Sequence, residues 1–273
     1  MAGVEEPGAR VAVVGTGSWG TTLAILAARQ GHYATLIART EAEAAELRSA
    51  GENRRFLAGF PFPPNLTPTA DIPSALEGCD LLMMVVPSQT MRANIRNVKP
   101  HITESPIILS AAKGLELGTS LRMSEVLVEE LGPECSGQVA ALSGPNLARE
   151  IVANRPATTV VAANDMAVAQ RVQRLMNGGR FRVYTNPDLL GVELCGSLKN
   201  IIAVAAGMAD GMEAGDSAKA ALITRGLAEI ARLGVAAGAS LFTFAGLAGL
   251  GDLIATCASP LSRSSSVCIW GAV

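Results

Sequence analysis

Two lysines, an aspartate and two small polar motifs are the residues whose types and settings could carry chemistry in this chain. Lys113 stands just after an apolar run, in Ser110-Ala-Ala-Lys-Gly114, where the carboxyl end of a strand would present it to a ligand. Lys199 interrupts an otherwise apolar helical stretch, Leu190 to Met208, in Gly196-Ser-Leu-Lys-Asn200. An ammonium group there is costly to bury unless it is paired or its pKa is lowered, and either condition suits proton transfer; snorkelling to the surface is the other reading. Asp252 closes the glycine-rich turn Gly246-Leu-Ala-Gly-Leu-Gly-Asp252, placed to cap a helix or to orient a ligand. Ser143-Gly-Pro-Asn146 follows a strand-like run and either presents the Gly144 N–H and the Asn146 side chain or simply connects two elements. Ser262-Arg263 sets a hydroxyl beside a guanidinium, a pairing suited to phosphate. The only histidines, His32 and His101, sit at a turn and a connection, so a lysine or carboxylate must move any proton.

A second motif says what else these residues would face. Val11-Ala-Val-Val-Gly15-Thr-Gly17-Ser-Trp-Gly20, opening the helical stretch Thr21 to Gln30, reads as strand, tight turn and helix. Gly15 permits the turn, Gly17 lets backbone approach a pyrophosphate, and Gly20 allows close helix–strand packing, with the positive helix end aimed at the phosphates. A dinucleotide is the implied ligand.

The elements that must position these groups follow from apolar patterning. Continuous apolar runs at Val11–Val14, Ala34–Ala38, Leu81–Val86, Ile107–Ser110, Val139–Leu142, Thr158–Ala162 and Phe181–Thr185 suit strands buried on both faces of a parallel sheet. Helical spacing lies between them, for instance at Glu41–Ala50, Met123–Leu131 and Met166–Met176. The fold class is therefore α/β: a Rossmann-like doubly wound sheet over residues 1–188, then an all-α domain over 189–273, where strand signals stop after Asn186-Pro-Asp188. Phe60-Pro-Phe-Pro-Pro-Asn65 reads as an ordered loop.

Across 273 residues the net charge is −2, which leaves no excess of cations for a nucleic-acid backbone or an anionic membrane. The five cysteines are scattered and the histidines unclustered, so neither a metal site nor a disulfide framework is expected. The acidic N-terminus lacks a signal peptide's basic flank, and a cytoplasmic location is expected. Leu233–Gly251 carries no charge over a length that could span a bilayer, but glycines interrupt it, and a buried helix pair is the expectation.

Taken together, the chain resembles the bacterial-type NAD(P)-dependent glycerol-3-phosphate dehydrogenases over residues 9 to 263. The resemblance rests on Gly15-Thr-Gly-Ser-Trp-Gly20, Val86-Pro-Ser88, Ala112-Lys-Gly-Leu-Glu116, Ser143-Gly-Pro145, Tyr184-Thr-Asn-Pro-Asp188, Ser197-Leu-Lys-Asn200, Ala221-Leu-Ile-Thr-Arg-Gly226 and Gly246 to Cys257. It implies reversible reduction of dihydroxyacetone phosphate to sn-glycerol 3-phosphate for phospholipid synthesis, with NADP or NAD as cofactor. Carried over residue by residue, it puts Ser18, Trp19, Arg39, Ala148, Lys113 and Arg263 on the cofactor, beside Gly15, Gly17 and Gly20. Lys113, Gly144, Asn146, Asp252, Ser262, Arg263 and Ser264 would meet substrate, and Lys199 matches the catalytic proton donor and acceptor. A positive charge at Lys113 would lower the Lys199 pKa by repulsion. Arg39, about 20 residues past the glycines, suits an NADP 2′-phosphate, although Glu41 follows closely. The resemblance leaves the assembly open, a homodimer included.

The pattern departs from the family after Arg263. The family continues with an asparagine that touches substrate, a basic stretch and further helices, whereas this chain reads Ser264 to Val273 in an unrelated sequence and is expected to be C-terminally truncated. An apolar face such as that of Leu241–Leu250 is then expected to be exposed. Two other readings stay open: a related dehydrogenase of small keto or hydroxy acids, against which the Gly246–Asp252 block and Ser262-Arg263 argue, and a chain that binds dinucleotide without catalysis.

Overall fold

A computed structural model describes residues 8–258. Eight strands form one sheet in the order β3-β2-β1-β4-β5-β6-β7-β8. They are β1 (Arg10–Val14), β2 (Tyr33–Ile37), β3 (Leu66–Thr69), β4 (Leu81–Met84), β5 (Ile107–Ser110), β6 (Val139–Ser143), β7 (Ala157–Ala163) and β8 (Phe181–Asn186). The helices among them are α1 (Ser18–Arg29), α2 (Glu41–Ala50), α3 (Arg54–Leu57), α4 (Ile72–Leu76), α5 (Met91–Val98), α6 (Met123–Leu131), α7 (Ala148–Val152) and α8 (Met166–Met176). After them come α9 (Leu189–Gly211), α10 (Asp216–Ala236), α11 (Leu241–Ala245), a π-helical turn (Leu247–Gly251) and α12 (Asp252–Ala258).

The central strands β1, β4, β5 and β6 are apolar because both faces are covered, whereas β8 at the sheet's edge alternates, with Phe181 and Val183 buried and Arg182 and Tyr184 exposed. In β1, Val11 and Val13 join one core with α1, α7 and α8, while Ala12 and Val14 join a second with α4, α5 and α6. Leu81 and Met83 of β4 divide from Leu82 and Met84 in the same way. Beyond β5 a third core takes over: Ala141, Val160 and Ala162 of β6 and β7 pack with Leu189, Val192 and Cys195 of α9, Ile230 of α10 and Phe244 of α11. This packing lays α9 across the sheet and brings Lys199 to it.

Two expectations are corrected. The sheet is not parallel throughout, because β7 runs antiparallel to β6, with Ala140 opposite Ala163, and β8 follows β7. The five-residue α7 is too short to return the chain along the sheet, as a parallel crossover requires. β3, which lies outside the apolar runs read as strands, is the edge strand; its Pro68 is tolerated there because one side of an edge makes no ladder bonds. Phe60–Asn65 is an ordered loop, with Asn65 Nδ2 donating to Ala28 O at 2.7 Å and His32 O at 2.6 Å.

Leu233–Gly251 is not a helix pair but the end of α10, a loop, α11 and the π-helical turn. Its apolar residues divide: Leu241 and Phe242 are exposed, whereas Phe244 and Ala248 are buried. Among the described residues the helix long and apolar enough to cross a membrane is instead α9, and half of its apolar window is buried inside the protein.

Candidate active site

The β1–α1 turn lies at the switch point of the sheet, where β1 is flanked by β2 and β4 and the strand order reverses. Gly15 has φ +118°, and a Cβ there would fall 2.3 Å from Val85 O; a Cβ on Gly20 would fall 2.0 Å from Gly15 O. Both glycines are required by backbone packing alone. Gly17 differs: a Cβ there would meet none of the described residues within 4 Å, and as N-cap of α1 it provides no side-chain cap for the first-turn N–H groups. Open space beside uncapped amides at a helix start fits a pyrophosphate. Ser18 and Trp19 begin α1, Trp19 leaning on the core. Ala148 opens α7, and its carbonyl accepts from Thr22 Oγ1 at 3.4 Å, so it borders the same helix end. Arg39 follows β2 with its side chain 75% exposed.

The second group assembles around one carboxylate. Asp252, 2% exposed at the start of α12, accepts Lys199 Nζ on Oδ1 at 2.6 Å and Lys113 Nζ on Oδ2 at 2.6 Å. Lys199 is buried rather than snorkelling, and also donates to Thr256 Oγ1, whose own proton goes to Asp252 O at 2.7 Å. Lys113 reaches Gly144 O at 3.2 Å, joining the β5 and β6 loops. Burial depresses the Lys199 pKa to about 8, with the Lys113 charge the second cause and Asp252 opposing both. The expected repulsion from Lys113 is present, but desolvation outweighs it.

Helix α9 meets these loops at close quarters. A Cβ on Gly196 would lie 2.8 Å from Ser143 Oγ and 3.4 Å from Lys113 Cγ. The Gly114 N–H donates to Ser197 Oγ at 3.1 Å, and buried Glu193 accepts the Ser124 N–H at 2.8 Å and Arg122 Nη1 at 2.6 Å. The loop that carries Lys113 is thereby fastened to the helix that carries Lys199. Asn146 Nδ2 donates to Thr159 Oγ1 at 3.0 Å, while its Oδ1 and the neighbouring Ser143 Oγ are buried with no partner among the described residues. Polar atoms left this way beside two lysines are groups that a polar ligand would satisfy.

The structure therefore brings Lys113, Gly144, Asn146, Lys199 and Asp252 into one region. Ser262, Arg263 and Ser264 lie outside the described residues. Sequence reasoning passed over Thr256, Ser197 and Glu193. Thr256 stands one helical turn after Asp252, and Glu193 is an acid inside an apolar helix, so both carried a signal.

Known proteins resemble the chain along most of its length. The family described as NAD-dependent glycerol-3-phosphate dehydrogenase N-terminus matches residues 10–169, and the corresponding C-terminus matches residues 188–269. A glycerol-3-phosphate dehydrogenase [NAD(P)+] of Dehalococcoides mccartyi is 51% identical over 259 residues, covering 94% of this chain and 72% of that protein. One from Moorella thermoacetica is 51% identical over 254 residues, covering 93% and 75%. The crystal structure of glycerol-3-phosphate dehydrogenase from Coxiella burnetii superposes with a TM-score of 0.91 at 41% identity, covering 97% of this chain and 80% of that one. With these matches, added to a glycine turn that fits a pyrophosphate and a paired buried lysine, the chain belongs to the NAD-dependent glycerol-3-phosphate dehydrogenase family.

Proposed function

We propose that this chain reversibly reduces dihydroxyacetone phosphate to sn-glycerol 3-phosphate with NAD(P)H, and that Lys199 is the proton donor and acceptor. The observation that carries the reading is the Lys199–Asp252–Lys113 cluster, in which a buried lysine with a pKa of about 8 stands 2.6 Å from its partner carboxylate. When bound, the nicotinamide supplies the hydride for the ketone carbon. The protein's task is then to neutralise and protonate the oxygen, and Lys199 holds a proton that it releases near neutral pH. Lys113 adds a second positive charge, and Asp252 fixes both ammonium groups. Two ammonium groups against one carboxylate leave the cluster net positive, which suits an anionic phosphate ester.

In this reading residues 1–188 hold the dinucleotide through Gly15, Gly17, Ser18, Trp19, Gly20, Arg39 and Ala148, and residues 189–273 complete the substrate site. Gly144 and Asn146 contact substrate, and Ser262, Arg263 and Ser264 belong to the phosphate end. The reaction is placed in the cytoplasm with a small-molecule substrate.

Positioned acid–base catalysis contributes on the order of 10²- to 10⁴-fold. Lys199→Ala is therefore expected to lower turnover by that factor while the dissociation constants of NADPH and NADH stay unchanged. Near-normal turnover in the variant would remove Lys199 from the role. Dinucleotide binding by the unmodified chain with no substrate-dependent oxidation of NADPH or NADH would leave only a binding function.

A further inference from the structure

One carboxylate joins the glycine-rich turn to the end of β2. Glu43, in the first turn of α2, accepts the Thr16 hydroxyl on Oε1 at 2.6 Å. Its Oε2 accepts the Arg39 backbone N–H at 3.2 Å and Arg39 Nε at 3.4 Å. Thr40 Oγ1 accepts the Glu43 N–H at 3.2 Å, so the backbone that carries this carboxylate is held as well. Glu41, the acid closest to Arg39 in sequence, instead accepts from Arg48. Burial pushes the Glu43 carboxyl up, but the Thr16 hydroxyl and the Arg39 N–H and guanidinium bring it below its ordinary value. It is therefore ionised at neutral pH.

Thr16 belongs to the turn that suits a pyrophosphate, and in this architecture the adenosine ribose extends from that turn toward the end of the second strand. Glu43 lies between the two landmarks. A ribose 2′-hydroxyl can donate to its carboxylate, whereas a 2′-phosphate is repelled by it and must draw the Arg39 guanidinium away from it.

We infer that Glu43 is a specificity-determining residue: by engaging Arg39 beside Thr16 it restrains binding of a 2′-phosphate and keeps NADH competitive with NADPH. The inference rests on the reading of Gly15–Gly20 and Arg39 as the cofactor site.

The test is calorimetric titration of the full chain with NADPH and with NADH, without substrate, for the parent, Glu43→Gln and Arg39→Ala. In Glu43→Gln the ratio of the NADH to the NADPH dissociation constant is expected to rise by about fivefold, as removal of one charge several ångströms from a phosphate would give in a solvated site. A purely structural tie between α2 and the glycine turn would weaken both cofactors alike, and an unchanged ratio overturns the inference. In Arg39→Ala the ratio is expected to fall. A fall there with no change in Glu43→Gln overturns the inference about Glu43 alone, whereas an unchanged ratio in Arg39→Ala overturns the cofactor-site reading beneath it.

Discussion

Replacing Asp252 by asparagine tests the electrostatics of the cluster most directly, because it keeps the shape and removes the one negative charge shared by two ammonium groups at 2.6 Å each. Asp252 is 2% exposed and Lys199 7% exposed, so solvent can do little to replace the lost charge. An opposite charge at this range is worth about 1 to 3 pH units to its partner. The Lys199 pKa, about 8 with the carboxylate in place, should therefore fall to roughly 6.5. At pH 7.5 the protonated fraction of Lys199 then drops from about three quarters to about one tenth, so the reductive rate falls roughly eightfold at that pH. The assay is the pH dependence of kcat/KM for dihydroxyacetone phosphate, followed by loss of nicotinamide absorbance, since this ratio reports groups in the free enzyme. The parent should show an alkaline limb near pH 8, and Asp252→Asn a limb displaced to lower pH, with part of the rate recovered on acidification. A variant whose limb stays near pH 8 would falsify the placement of Asp252 as the charge that sustains the Lys199 proton.

Two further outcomes follow from the same geometry. Gly17→Ala is expected to leave urea stability within about 1 kcal/mol of the parent while weakening dinucleotide binding at least about tenfold, because the added methyl meets open space in the protein but fills the ground beside the α1 amides. A parallel loss of stability and binding would show that the position is structural. The lowered Lys199 pKa also predicts how stability varies with pH. Between about 8, its value in the folded chain, and 10.5, its ordinary value, the unfolded chain binds more protons, so this residue makes stability rise with pH across that window. Below it the burial costs roughly 3 kcal/mol, and denaturant titrations at pH 7 and pH 10 on the parent and on Lys199→Met should differ in slope against pH by this contribution.

Much of this arrangement was legible in the sequence because single positions carried single reasons. The three glycines of the β1–α1 turn have three different justifications in the structure, two steric and one spatial, and each matches its spacing in Gly15-Thr-Gly-Ser-Trp-Gly20. The apolar runs located seven of the strands, β8 although it alternates, with Arg182 and Tyr184 exposed, and the other six because burial on both faces or nearly so removes alternation. That same uniformity hid the direction of β7: an all-apolar run reads alike in either orientation, and only the short α7 decides it. β3 escaped because Pro68 argues against a strand unless the strand is already known to lie at an edge. Lys199 was undecided between burial and snorkelling because its partner stands 53 residues away, and helical spacing says nothing about contacts at that range. Glu43 was missed in favour of Glu41 for a local reason: proximity in sequence favours the first acid, but at the start of α2 it is the third helical residue that turns back to Arg39.

The chain separations within the Lys113–Asp252–Lys199 cluster also bear on folding kinetics. Asp252 lies 139 residues from Lys113 and 53 from Lys199, while the βα units that hold the glycine turn are built from neighbours in sequence. Loop closure makes such distant pairings late events in folding. On refolding, helical signal and dinucleotide affinity should therefore return before turnover, with a lag set by the arrival of α12.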